Sequence, residues 1–105
     1  MNPDIQVGTV TGTGAAIDIE LGFVPDYVKI VNITDADIMH EWFASMDDGK
    51  AIATAAAVAT LATNGITPYA GVRGSNSKGF TIGTTISESA KVLAYVAMRS
   101  GPGAQ

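Results

Sequence analysis

The chain has no cysteine. That excludes a disulfide framework, a zinc ribbon, a thiol nucleophile and an iron–sulfur cluster, so stability must come from packing or from association. Basic residues are scarce: Lys29, Lys50, Lys78, Lys91, Arg73 and Arg99 stand against 10 carboxylates, for a net charge of -4. A surface that tracks a phosphate backbone needs a basic excess, so nucleic acid is not an expected partner. Only 15% of the 105 residues are charged, 7% are aromatic and 47% are hydrophobic. So little charge argues against disorder, since the usual soluble domain carries roughly 25%. No window reaches the roughly 18 apolar residues of a membrane span. Residues 1–7 lack the basic and apolar regions of a secretory leader. The expectation is one domain, 1–105, made and used without the secretory route and without a membrane partner.

What the chain does have is period-two alternation in short runs broken by glycine, asparagine, aspartate and proline, the pattern of half-buried strands. Residues 15–21 place Ile17, Ile19 and Leu21 on one face and Asp18 and Glu20 on the other. Residues 27–33 are β-branched and alternate in the same way. A third strand spans 38–46, with Met39, Glu41 and Phe43 opposite Ile38, His40 and Trp42. Asp47-Asp48-Gly49-Lys50 then predicts a chain reversal, because Asp-Gly accepts positive φ cheaply. Two further strands read at 78–83 and 91–99; the second is apolar on both faces, as in the interior of a sheet. The alanine-rich stretch 51–63 reads either as a short helix or as extended chain: alanine favours helix, while Thr54, Val58, Thr60 and Thr63 interrupt it. Residues 64–71 are turn-rich, and Pro68 belongs in a loop or on an edge. The glycine-threonine run 8–14 is an arm or an edge strand, with 1–10 a candidate extended arm and 100–105 a tail. The fold class is therefore all-β, a single-domain β-sandwich or small barrel, with helix open only at 51–63.

The chemical motifs are incomplete. The glycines of 8–14 lack the Lys-Ser/Thr pair and the strand-turn-helix setting of a phosphate loop. His40-Glu41 lacks a second histidine four residues on, where Ala44 stands, and reads as a strand-face histidine. Asp35, Asp37, Glu41, Asp47 and Asp48 do not match a calcium loop. Ser75, Ser77, Ser87 and Ser89 have no nucleophile motif, and the sequon Asn32-Ile33-Thr34 reads as coincidence. No catalytic residue, metal or cofactor is expected, and the chain is not expected to be an enzyme. A carbohydrate- or receptor-binding sandwich remains an alternative on Trp42, Tyr69 and the aspartate-rich turns, and a small carboxylate hydrolase a more remote one. Trp42, Phe43, Tyr69 and Phe80 are anchors for either a core or an interface, and alternation puts Trp42 and Phe43 on opposite faces. With Ile5, Val7 and Arg73 they form the candidate protein interface. A small core with no staple points to association.

The phrases Leu21-Gly22-Phe23-Val24-Pro25-Asp26-Tyr27-Val28-Lys29-Ile30-Val31-Asn32, Glu41-Trp42, Asn64-Gly65-Ile66-Thr67-Pro68-Tyr69-Ala70-Gly71, Lys78-Gly79-Phe80-Thr81-Ile82-Gly83 and Ala94-Tyr95-Val96-Ala97-Met98-Arg99 resemble small virion proteins of tailed bacteriophages, in particular the capsid decoration (cement) proteins. The resemblance runs from about Gly8 to Arg99 and rests on strand and turn phrases. It implies a jelly-roll-like β-sandwich on the outer capsid surface of the virion, a homotrimer that clamps neighbouring subunits of the major capsid protein. A tail or baseplate component is the related alternative.

Overall fold

The computed structural model describes residues 5–69 and 78–99. They form eight strands: β1 (Ile5–Thr11), β2 (Ile17–Glu20), β3 (Tyr27–Asn32), β4 (Met39–Phe43), β5 (Lys50–Thr54), β6 (Val58–Tyr69), β7 (Gly79–Ile82) and β8 (Val92–Met98). All belong to one sheet in the order β1-β8-β3-β4-β5-β6-β7-β2, and every pairing is antiparallel. The strands are thus continuous in one curled half-barrel, where alternation alone had suggested a sandwich or barrel.

One ring contact shows the curl. Phe80 of β7 and Tyr95 of β8 meet edge to face with centroids 5.6 Å apart. Four strands lie between β7 and β8 in the sheet. In a flat sheet that separation would be roughly 24 Å, at about 4.8 Å per strand. The concave side is therefore the core. It holds Val28, Ile30, Trp42, Ile66, Phe80, Ile82, Leu93 and Ala97 from the strands. The β2–β3 connection adds Leu21 and Phe23, and the β7–β8 connection adds Ile86. These two segments fill the open side that a second sheet would cover in a sandwich.

The stretch 51–63 is a β-hairpin and not a helix. Ala51 pairs with Leu61, Ile52 with Thr60, Ala53 with Ala59 and Thr54 with Val58. Its threonines and β-branched residues suit strands, and β4 offers β5 a ladder partner, which overrides the alanine propensity. The turn-rich reading of 64–71 is also corrected, because β6 continues to Tyr69. The turn signal there is a bulge. Asn64 takes a left-handed φ of 58°, the register against β5 shifts between Lys50 and Ala51, and a Cβ on Gly65 would meet the Lys50 carbonyl carbon at 2.7 Å. Pro68 is tolerated because it lies beyond the last β5 pairing, Lys50 with Ile66, where among the described strands only β7 flanks β6. The reversal at 47–50 forms, with Gly49 at a φ of 84°.

Residues 5–10, the candidate arm, are part of β1 and paired with β8 along its whole length. The following loop is pinned to the β7–β8 connection: the Thr13 N–H donates to the Ser87 Oγ at 3.0 Å and the Gly14 N–H to the Ser87 carbonyl at 2.8 Å. Residues 1–4, 70–77 and 100–105, with Arg73 and the proposed tail, lie outside the described residues.

Candidate interaction surface

Strand register decides which side chains share the convex face. Val28, Ile30 and Asn32 of β3 point inward, so Tyr27, Lys29 and Val31 point outward. Carrying that parity across the ladders builds three rows. The first is Ile5, Met98, Tyr27 and Phe43; the second is Val7, Val96, Lys29, Glu41 and Ile52; the third is Thr9, Ala94, Val31, Met39 and Thr54. Ile5, Val7 and Phe43 are 56%, 70% and 41% exposed, and Ile33 and Val92 are exposed at the end of the same face. A largely apolar surface thus crosses β1, β8, β3 and β4 with nothing over it among the described residues.

Its polar content is small and organised. The Tyr27 hydroxyl donates to Glu41 Oε2 at 2.7 Å, and the Tyr27 ring lies 5.1 Å from that of Phe43. Burial first, then the hydrogen bond and charge of Glu41, push the Tyr27 hydroxyl up to about 12. Lys29 stands opposite Glu41 in register, so opposite charges share the centre of the patch. Beside it, Val31, Asp37, Ile38, Met39 and Thr54 line a shallow open depression of about 270 Å³.

The other half of the convex face differs. There β2, β7 and β6 present Asp18, Glu20, Thr81, Thr67 and Tyr69, and the Thr81 hydroxyl donates to Asp18 Oδ1 at 2.6 Å.

The chain matches no family model, no curated protein and no solved structure.

Of the candidate interface residues, Ile5, Val7 and Phe43 lie together on the apolar half and Tyr69 lies on the polar half. Trp42, 2% exposed, and Phe80, fully buried, are core residues in this fold. Trp42 reaches the Asp47 carbonyl through its indole N–H at 3.3 Å. The sequence reading misses Tyr27, Val96 and Met98. For Val96 and Met98 the signal was the double apolar face of β8, which reads from sequence as an interior strand and does lie between β1 and β3.

The other residues with chemical potential are tied down. Lys91 Nζ pairs with Asp35 Oδ2 at 3.2 Å. Asn32 is buried, its Oδ1 accepting the N–H groups of Thr34 and Asp35 at 3.0 Å each, and its Nδ2 donating to Glu88 at 3.2 Å. Such a side chain is closed to glycosylation in the folded protein. His40 points into the core, its Nε2 has no hydrogen-bond partner among the described residues, and burial lowers its pKa against a smaller opposing effect of Glu88. Among the described residues no three histidine, aspartate or glutamate side chains converge to hold a metal.

Proposed function

We propose that this chain is a non-catalytic structural subunit of a larger protein assembly, specifically a phage capsid decoration protein that seats its apolar convex face on neighbouring major capsid subunits. The observation that carries the reading is the row Ile5, Met98, Tyr27 and Phe43 across β1, β8, β3 and β4, with Val7, Val96, Ala94, Val31 and Met39 beside it. A monomer rarely leaves so continuous an apolar surface in water unless another protein covers it. The central Lys29 and Glu41 add orientation to the contact, and Phe43, its ring tilted against that of Tyr27, is the aromatic anchor such interfaces favour. Repetition of one modest contact over a lattice supplies avidity.

The finer fold reading belongs to the same proposal. The first strand pairs with the last, the second with the seventh and the fourth with the fifth, while β3 and β6 do not pair; these three of the four nested pairs of a rolled-up ribbon support a jelly-roll-like kinship.

The test is co-sedimentation of the purified chain with heads of the phage whose genome encodes it, before and after shell expansion. Wild type is expected to saturate a fixed number of sites per capsid. Phe43→Glu, which leaves the core untouched, is expected to abolish binding. Absence of wild-type binding to both head forms, with the fold intact by circular dichroism, would refute the reading.

A further inference from the structure

The two edges of the sheet are built differently. β2 is 4 residues long and carries Asp18 and Glu20 on its outer face. Short length and charge both protect an edge strand from pairing with another chain. β1 has 7 residues, Ile-Gln-Val-Gly-Thr-Val-Thr, without charge, proline or bulge. Its ladder alternation is set by two bonds: the Gly12 N–H donates to the Lys91 carbonyl at 2.8 Å, and on the other side of β8 the Ile33 N–H donates to the Val92 carbonyl at 3.0 Å. Antiparallel pairing then turns the backbone groups of Gln6, Gly8 and Val10 toward β8, and those of Ile5, Val7, Thr9 and Thr11 outward. Among the described residues nothing pairs with these outward groups.

We propose that β1 pairs with β1 of a second copy of this chain, antiparallel about a two-fold axis through Gly8. Three features single out that occupant. A strand opposite its own copy must place residues of like parity across from one another, and in this register Ile5 faces Thr11 and Val7 faces Thr9, all four with their hydrogen-bonding groups turned to the open edge. No charge lies on the strand, so two copies meet without repulsion. The hydrogen-bonded pairs, Ile5 with Thr11 and Val7 with Thr9, are β-branched, the type that packs best across strands. Pairing β1 with the β2 edge of another copy would engage only the 4 residues of β2 and bring up its carboxylates. The joined sheets run through both protomers and set the two apolar convex faces side by side. This pairing stands independently of the virion reading.

Sedimentation equilibrium over a concentration series tests it. Wild type is expected to give twice the 10.7 kDa protomer mass. Thr9→Pro deletes an N–H that faces the open edge and leaves the β8 ladder whole. The symmetry removes two hydrogen bonds per dimer, so the dissociation constant should rise about a hundredfold with the circular dichroism unchanged. Val10→Pro, whose N–H faces β8, is expected to unfold the strand and marks what a folding defect looks like. Should Thr9→Pro itself fail to fold, Val7→Lys places a charge on the exposed edge without altering the backbone, and is also expected to give monomer. The register is read by oxidising a mixture of Val7→Cys and Thr9→Cys chains, expected to cross-link more in the mixture than either does alone. A monomeric or trimeric wild type, a dimer that survives folded Thr9→Pro and Val7→Lys, or cross-links equal in mixed and single samples would each overturn the proposal.

Discussion

Replacing Phe80 by alanine removes the ring that bridges the two ends of the curl. Phe80 is fully buried, sits on β7 between β2 and β6, and meets the Tyr95 ring of β8 edge to face at 5.6 Å. Truncating a buried phenylalanine costs about 3–5 kcal/mol in transfer and cavity terms. An edge-to-face pair adds about 0.5–1.5 kcal/mol beyond area. A chain of this length has about 5–15 kcal/mol in total, so the variant keeps at most a fraction of its stability. With about 4–8 °C lost per kcal/mol for a domain near this size, the melting temperature should fall by at least about 12 °C. The assay is urea unfolding of wild type, Phe80→Leu, Tyr95→Leu and the double variant, with Phe80→Ala as the extreme. The leucine cycle isolates the coupling between the rings, expected at about 0.5–1.5 kcal/mol. A coupling near zero, or a Phe80→Ala cost below about 1.5 kcal/mol, would refute closure of the sheet through this contact.

Three other outcomes follow from named side chains. His40 has its folded pKa lowered by burial, so between that value and the ordinary 6.5 the unfolded chain binds more protons than the folded one. The stabilising difference is complete above pH 6.5 and is lost as pH falls toward the folded value, at up to about 1.4 kcal/mol per pH unit; His40→Leu should flatten this slope in urea titrations at pH 7.5, 6 and 5, and equal slopes would refute it. Asn32→Ala strands the N–H groups of Thr34 and Asp35 and should cost about 2–3 kcal/mol by thermal or chemical unfolding, while a cost under about 0.5 would show that the β3–β4 turn does not depend on it. Gly79→Ala drives a Cβ into the Ile19 carbonyl oxygen on β2 and should destabilise by about 1–3 kcal/mol, with amide exchange accelerated first in β2; unaltered exchange there would contradict the close approach.

The strands at 17–20, 27–32 and 79–82 were legible because one face of each is buried, and burial writes itself into sequence with a period of two, while 92–98 was legible as a short run apolar on both faces. Their inward residues, such as Ile19, Val28, Ile30 and Phe80, are the core. The hairpin of β5 and β6 was ambiguous because alanine is indifferent to the face it occupies. Ala51 is fully buried and residues 55–57 are exposed, yet all read alike. The β6 bulge was mistaken for a turn because Asn64-Gly65 satisfies both, and only the ladder to β7 tells them apart. The apolar convex face was half visible. Phe43 opposite Trp42 follows from alternation, whereas the row that joins Phe43 to Tyr27, Met98 and Ile5 exists only once four strands distant in sequence are set in register.

The contrast between the two edges bears on how association would end. An open apolar edge on a small domain invites unlimited strand addition, which leads to fibres unless something closes it. Here the unprotected edge, β1, and the apolar convex rows lie at one end of the sheet, and the charged short strand β2 at the other. A two-fold pairing through β1 consumes the only long uncharged edge among the described strands and leaves β2 at both outer ends. Asp18 and Glu20 would then face any third copy that approached along the sheet. The same pairing doubles the apolar convex surface without lengthening the reactive edge, so growth in the plane of the sheet stops at two while docking perpendicular to it remains open. Replacing Asp18 and Glu20 with threonine should remove that stop, and the expected consequence is higher-order species in sedimentation that the wild type lacks. A double variant that stays at two copies would show that the length of β2, and not its charge, guards that edge.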